Sequence, residues 1–231
     1  MADQPLQKPP TTNTRLMMLG TLIVAVVGGA VVLYALVNRP SASPAPTPHH
    51  GAAIIEGEAF TGIEVINPPR ALADFTLTDQ EGQPFSLSDL NGKLALIQFG
   101  YTHCPDVCPS TLLKFKQIKT ALGDQADQVA FVLISVDGER DTPEVMKDYI
   151  SRFDPAFIGL TGRSDEVLAM GGDYNLYVNK QPAVDSAPDS YLVDHTATTF
   201  TVDQEGNLVA LYIYGTDTSL IIEDIQGRLS T

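Results

Sequence analysis

Tryptophan is absent from this sequence, and cysteine occurs only twice, at positions 104 and 108. Two cysteines exclude a disulfide-stapled scaffold and also a four-cysteine zinc site built within one chain. Positive charge is scarce: 14 Lys and Arg stand against 28 Asp and Glu, a formal net charge of −14. Residues 1–50 hold Lys8, Arg15 and Arg39 against Asp3, a balance of +2, so the remainder carries −16. A domain this acidic repels phosphate backbones, and no nucleic acid partner is expected. The carboxylates are scattered, with no acid–base pair and no nucleophile triad. Asp137-Gly-Glu139 and Asp203-Gln-Glu205 read as turns. There is no internal repeat. Hydrophobic residues make up 44% of the chain, enough for a real core.

Leu16 to Val37 runs 22 residues without an Asp, Glu, Lys, Arg or His. As a helix this reaches roughly 33 Å, close to the hydrocarbon thickness of a bilayer. It also exceeds the apolar run of about 7–15 residues found in a cleaved signal peptide. A single transmembrane helix is therefore expected over 16–37, after a short tail of residues 1–15. Lys8 and Arg15 precede the span and only Arg39 follows it closely, which favours a cytoplasmic N-terminus and an exported C-terminal domain. The tail is too short and too poor in Arg for a mitochondrial presequence. The expected location is the bacterial inner (cytoplasmic) membrane, single-pass, with the domain in the periplasm. Residues 38–64 form a spacer that begins with Pro40, Pro44, Pro46 and Pro48 and holds the domain of residues 65–231 off the membrane. His49 and His50 read as solvated spacer residues.

In the domain, Phe75-Thr-Leu-Thr, a turn at Asp79-Gln-Glu-Gly82 and Pro84-Phe-Ser-Leu predict a β-hairpin. Lys93–Gly100 and Val129–Val136 read as buried strands. Leu112, Phe115, Ile118 and Leu122 mark one face of a helix between them. A helix opened by Thr142-Pro143-Glu144, a short strand at 157–160 and a helix over 164–171 follow. Thr196–Val202 and Leu208–Ile213 flank a turn, and a last helix covers about 217–228. The order βαβ then ββα predicts an α/β, thioredoxin-like fold with an added N-terminal hairpin.

The chemistry concentrates in Phe99-Gly-Tyr-Thr-His-Cys-Pro-Asp-Val-Cys-Pro109, where a central strand ends and a helix begins. Pro109 suits a first helical turn, and Pro105 keeps the loop from extending the helix backwards. Cys108 is expected at the helix N-terminus, where the macrodipole favours a thiolate. The spacing is one residue wider than a CxxC redox pair. It is compatible with a disulfide and equally with one shared metal ion. Thiolates select Cu(I), or zinc where four ligands can be assembled, so a third donor should be imidazole or thioether. Met146 and Met170 read as core residues. His103 neighbours Cys104, but adjacent side chains diverge, so it is assigned a supporting role. His195, in Val193-Asp-His-Thr, is expected in a loop just before the strand Thr196–Val202. From there it reaches the cysteines across 91 positions. Asp106 and Asp194 are candidates for orienting these ligands.

The string around the two cysteines, with Ser135-Val-Asp-Gly-Glu-Arg-Asp-Thr-Pro143 and Val193-Asp-His-Thr, resembles the SCO/SenC family over roughly residues 65–230. The resemblance implies a thioredoxin-like protein that binds copper, Cu(I) or Cu(II), through Cys104, Cys108 and His195. It implies a metallochaperone that assists assembly of the CuA centre in subunit II of cytochrome c oxidase, supplied by an upstream copper donor. One departure is Gly138, where the family commonly has Pro; it is expected to alter loop stiffness more than metal binding. Asp137, Arg140 and Asp141 are expected to order that loop. The rival reading is a membrane-tethered thiol-disulfide oxidoreductase, in which Cys104 and Cys108 reduce the cysteines of the target copper site. The peroxidatic pattern Pro-x-x-x-Thr-x-x-Cys is absent.

Overall fold

The structure, a computed structural model, describes residues 61–182 and 190–230. The expected tail, membrane span and most of the spacer lie outside the described residues. Among those described, no helix is long and apolar enough to cross a membrane.

Ten strands are described: β1 (Ile63–Ala71), β2 (Thr76–Asp79), β3 (Pro84–Ser86), β4 (Leu94–Gly100), β5 (Val129–Ser135), β6 (Ile158–Thr161), β7 (Val178–Lys180), β8 (Val193–His195), β9 (Thr199–Val202) and β10 (Asn207–Tyr212). Four α-helices accompany them: α1 (Val107–Leu122), α2 (Pro143–Ser151), α3 (Ser164–Tyr174) and α4 (Thr218–Leu229). Eight strands form one sheet in the order β1-β10-β9-β4-β5-β6-β2-β3. Its centre, β10-β9-β4-β5, is the thioredoxin-like arrangement. β4 runs parallel to β5 and antiparallel to β9, with β6 added parallel to β5. The expected hairpin is β2–β3, attached through β2 to β6 at the sheet's far side.

β4 and β5 are buried along their whole length. Their side chains alternate between two core layers, as the two-residue period of a strand requires. Leu94 and Leu96 of β4 face a layer built with Leu112, Phe115 and Ile118 of α1, Met146 and Ile150 of α2, and Ile221 and Ile225 of α4. Ala95, Ile97 and Phe99 face the other layer, with Val167 and Tyr174 of α3 and with Tyr191 and Val193. A helix on each face explains why these strands read as continuous apolar runs.

Two elements differ from expectation. β1 was not anticipated as a strand, because Pro68 and Pro69 interrupt it; it pairs antiparallel with β10, with a register break between Val65 and Arg70. It lies at the sheet edge, where proline is tolerated. His195 is not in a loop. It ends β8, which pairs with β7 in a separate two-stranded ribbon, Val178 opposite His195.

Candidate metal centre

β4 delivers the chain to the carboxyl edge of the sheet, where Tyr101 to Asp106 cross into α1. Asp106 occupies the helix N-cap position with its side chain making no capping bond, and its carbonyl accepts from the backbone N–H of Ser110 at 3.2 Å. Cys108 is the second helical residue and is fully buried. Unlike the other buried apolar residues of α1, it packs into the layer that holds Tyr191 and Val193. Gly100 makes room for it: a Cβ there would stand 2.8 Å from the Cys108 sulfur.

Cys104 sits just before the helix and is half-buried, and both cysteines are free thiols. The backbone N–H of Cys108 donates to the Cys104 sulfur at 3.4 Å, and Cys108 Sγ lies 3.5 Å from His195 Nε2. The ligand atoms of Cys104, Cys108 and His195 all fall within 4.8 Å of one another. Three donors bound at about 2.2 Å in a trigonal arrangement stand roughly 3.8 Å apart, so about 1 Å of closure brings this group onto one soft cation. The donor set, two sulfurs and an imidazole, fits such an ion.

The two thiols are not equivalent. A hydrogen bond from the Cys108 thiol holds the Cys104 pKa down to about 3, against the opposing effect of burial; His195 and the backbone N–H groups of Cys108 and Asp106 add to the lowering. Cys108 is pushed well above the usual thiol range by its bond to Cys104, by burial and by the Cys104 charge. The expectation of a Cys108 thiolate is therefore corrected. The helix N-terminus aims its N–H at the preceding sulfur, while the side chain of Cys108 turns into the core.

Three neighbours considered as supports lie outside the donor group. His103 is about half exposed, its Nδ1 3.0 Å from Thr102 Oγ1 and 3.8 Å from Asp141 Oδ1. Asp106 is exposed. Asp194 points off the ribbon, where its carboxylate accepts from Gln181. His195 Nδ1 lies 3.0 Å from the Thr196 carbonyl, which leaves Nε2 directed at the sulfurs.

The loop after β5 proves more important than its turn-like sequence suggests. Asp141, fully buried, accepts from the Thr102 backbone N–H at 3.0 Å, Thr102 Oγ1 at 2.6 Å and Ser135 Oγ at 2.6 Å, tying that loop to the cysteine loop. Tyr101 and Tyr191 went unnoticed in the sequence. The Tyr101 hydroxyl accepts from the Val193 backbone N–H at 3.1 Å, and its ring stands edge-on to His195 with centroids 5.8 Å apart. A buried aromatic directly beside the cysteine loop, and another four residues before His195, were the available signals. Gly138 packs so closely that a Cβ would lie 1.8 Å from the Gly162 carbonyl oxygen, so its place in the loop depends on having no side chain.

A model of the SCO1/SenC family matches residues 64–230. The chain belongs to the SCO1/SenC family. An SCO2-like protein of Rickettsia felis is 34% identical over 155 residues, covering 67% of this chain and 75% of the relative. The mitochondrial protein SCO2 of Saccharomyces cerevisiae is 40% identical over 136 residues, 58% of this chain and 45% of that one. The chain thus spans between 45% and 75% of these two relatives. Among solved structures, that of Bradyrhizobium japonicum ScoI with copper bound shares 39% identity at a TM-score of 0.62, covering 68% of this chain and 99% of that one.

Proposed function

We propose that this SCO1/SenC chain carries copper on Cys104, Cys108 and His195 and delivers it to the CuA site in subunit II of cytochrome c oxidase, working from the periplasmic face of a bacterial inner membrane. The observation that carries the reading is the convergence of two sulfurs and one imidazole within 4.8 Å, from two separate elements of the fold. Similar solved proteins are described with copper bound, from Bradyrhizobium japonicum and from yeast. The metal is cargo. Two thiolates and a neutral imidazole suit Cu(I) and can accommodate Cu(II), and a partly exposed Cys104 leaves one side open for an incoming ligand. The 22-residue apolar run supplies the anchor, and a copper donor upstream supplies the ion.

One observation favours a second reading. Cys104 is a partly exposed low-pKa thiol beside a buried partner, the asymmetry of an exchange pair. In that reading the Cys104 thiolate attacks a disulfide of the target copper site, forming a mixed disulfide and releasing one target thiolate. Cys108 then loses its proton to His195 Nε2, 3.5 Å away, and attacks Cys104. The target leaves as a dithiol, two electrons richer, and this chain is left with a Cys104–Cys108 disulfide. His195→Ala separates the two readings. The carrier reading expects copper retention to fall while reduction of a model disulfide by Cys104 continues. Full copper retention combined with impaired exchange overturns it.

A further inference from the structure

The three donors are held in two different ways. Cys104 and Cys108 belong to the β4–α1 junction of the central sheet, whereas His195 ends a ribbon of two three-residue strands that pair as a sheet separate from the eight-stranded one. A two-stranded ribbon of this kind is marginal on its own. Contacts from outside it must therefore fix where the imidazole stands.

Those contacts converge on Tyr191, four residues before His195. Arg140 Nε donates to Asp137 Oδ2 at 2.5 Å, and its Nη1 donates to the Tyr191 carbonyl at 3.0 Å. The Tyr191 hydroxyl donates back to the other Asp137 oxygen at 2.7 Å. The Arg140 guanidinium lies 3.6 Å from the Tyr191 ring centroid, and Lys180 Nζ lies 3.9 Å from it. Asp137 and Tyr191 are both buried. Main chain, ring and hydroxyl of Tyr191 are thus all gripped by one acid and one base of the loop after β5. Two residues on, Tyr101 takes the Val193 amide.

We propose that Asp137, Arg140 and Tyr191 form a latch that holds the β8 segment against the sheet, and so sets whether His195 engages the cargo ion. They are positioning residues. None is a ligand, and each acts through the imidazole. The inference rests on the three-ligand copper reading for its consequence, but the latch itself is testable without copper. Arg140 suits the task because its planar fork reaches Asp137 and the Tyr191 carbonyl from different nitrogens; a lysine ammonium is a single point and cannot span both.

The experiment compares the full chain with Tyr191→Phe and Arg140→Lys, alone and combined with His195→Ala. In the copper-free chain, both latch variants are expected to speed hydrogen exchange at the Val193 amide while leaving the alkylation rate of Cys104 unchanged. Unchanged Val193 exchange in both variants overturns the latch. Copper affinity is then read by competition with a chromophoric Cu(I) chelator, and nitrogen coupling by magnetic resonance of the Cu(II) form. Each latch variant should weaken Cu(I) binding about tenfold and reduce the nitrogen coupling, with no further loss in the His195→Ala background. Equal loss in both backgrounds overturns the positioning role, since the latch would then act through the sulfurs or through stability at large. A His195→Ala chain that binds copper as tightly as the unaltered chain overturns the three-ligand reading itself, even where the exchange result upholds the latch. Tyr191→Phe keeps the ring and its packing, so the comparison survives if Arg140→Lys fails to fold.

Discussion

Gly100→Ala should damage the metal centre from behind, through packing alone. The new methyl would lie 2.8 Å from Cys108 Sγ, 3.0 Å from Leu133 Cδ1 and 3.6 Å from Cys108 Cβ. Ordinary contact between such atoms is about 3.5–4.0 Å, so the sulfur must retreat by about 0.7 Å or more. Cys108 and Leu133 are both fully buried, which leaves little slack. Overpacking of this kind costs about 1–3 kcal/mol. At ~2–4 °C per kcal/mol for a domain of this size, the melting temperature should fall by about 2–12 °C. The same retreat is several times the tolerance of roughly 0.2 Å on metal–donor distances, so Cu(I) affinity should fall about tenfold or more. Melting of the copper-free chain and chelator competition measure the two effects. Gly172→Ala is the control: in α3 with nothing within 4 Å of the added carbon, it should gain about 0.5–1 kcal/mol and leave copper binding alone. A Gly100→Ala chain that melts lower yet binds copper with unaltered affinity and spectrum would refute the reasoning, because the sulfur would then have relaxed without leaving its place.

Gly138→Pro should destabilise this chain by about 1–3 kcal/mol, read by denaturant unfolding, because the Gly162 carbonyl occupies the space of the added ring. Asp141→Ala strips three donors, one buried and two half-buried, of their buried acceptor and should cost about 3 kcal/mol in the same assay, whereas Asp141→Asn, keeping an acceptor oxygen, should cost less. Alkylation of Cys104 by iodoacetamide should proceed at a nearly constant rate from about pH 5 to about pH 8, while Cys108 stays unmodified in the native chain. Because the Cys104 pKa is lower folded than unfolded, its contribution to stability is fully present above the ordinary value of 9.0 and is lost as pH falls toward about 3. Cys104→Ser should accordingly flatten the rise in unfolding midpoint between about pH 4 and about pH 8.

How far the sequence could be read depended on whether a residue's partners were local. The helix face of Leu112, Phe115, Ile118 and Leu122 follows from spacing alone, and all four are buried as expected. The buried strands β4 and β5 follow from unbroken apolar runs. The strand at Ile63–Ala71 was hidden because its two prolines oppose strand formation locally, while pairing with β10 decides the matter from more than 130 positions away. His195 was rightly suspected of approaching the cysteines, but its place at the end of a ribbon depends on Val178, in a segment with no strand signal of its own. The latch was out of reach for the same reason. Asp137-Gly-Glu-Arg140 is a turn by its composition, and nothing in it announces that its side chains grip a tyrosine 51 positions on from Arg140.

The misplaced thiolate has a geometric cause that reaches beyond this chain. A helix N-terminus stabilises negative charge along the direction of its free N–H groups, which point out of the first turn and back along the chain. A side chain on the second helical residue does not lie in that direction; here it leans against Gly100 and is stripped of water. The sulfur before the helix receives the N–H of Cys108 together with the Cys108 thiol proton. One thiol thereby becomes the donor that ionises its neighbour, and burial and charge repulsion both resist a second ionisation. An arriving soft cation changes this balance by replacing the shared proton with a positive ion between the two sulfurs. Cys104, already ionised and partly open to solvent, is the sulfur it meets first. Cys108 can follow by losing its proton to solvent, which leaves His195 Nε2, 3.5 Å away, unprotonated as the third donor. Capture of the ion is then coupled to proton release, and its strength should rise with pH even though Cys104 itself is already ionised near neutrality.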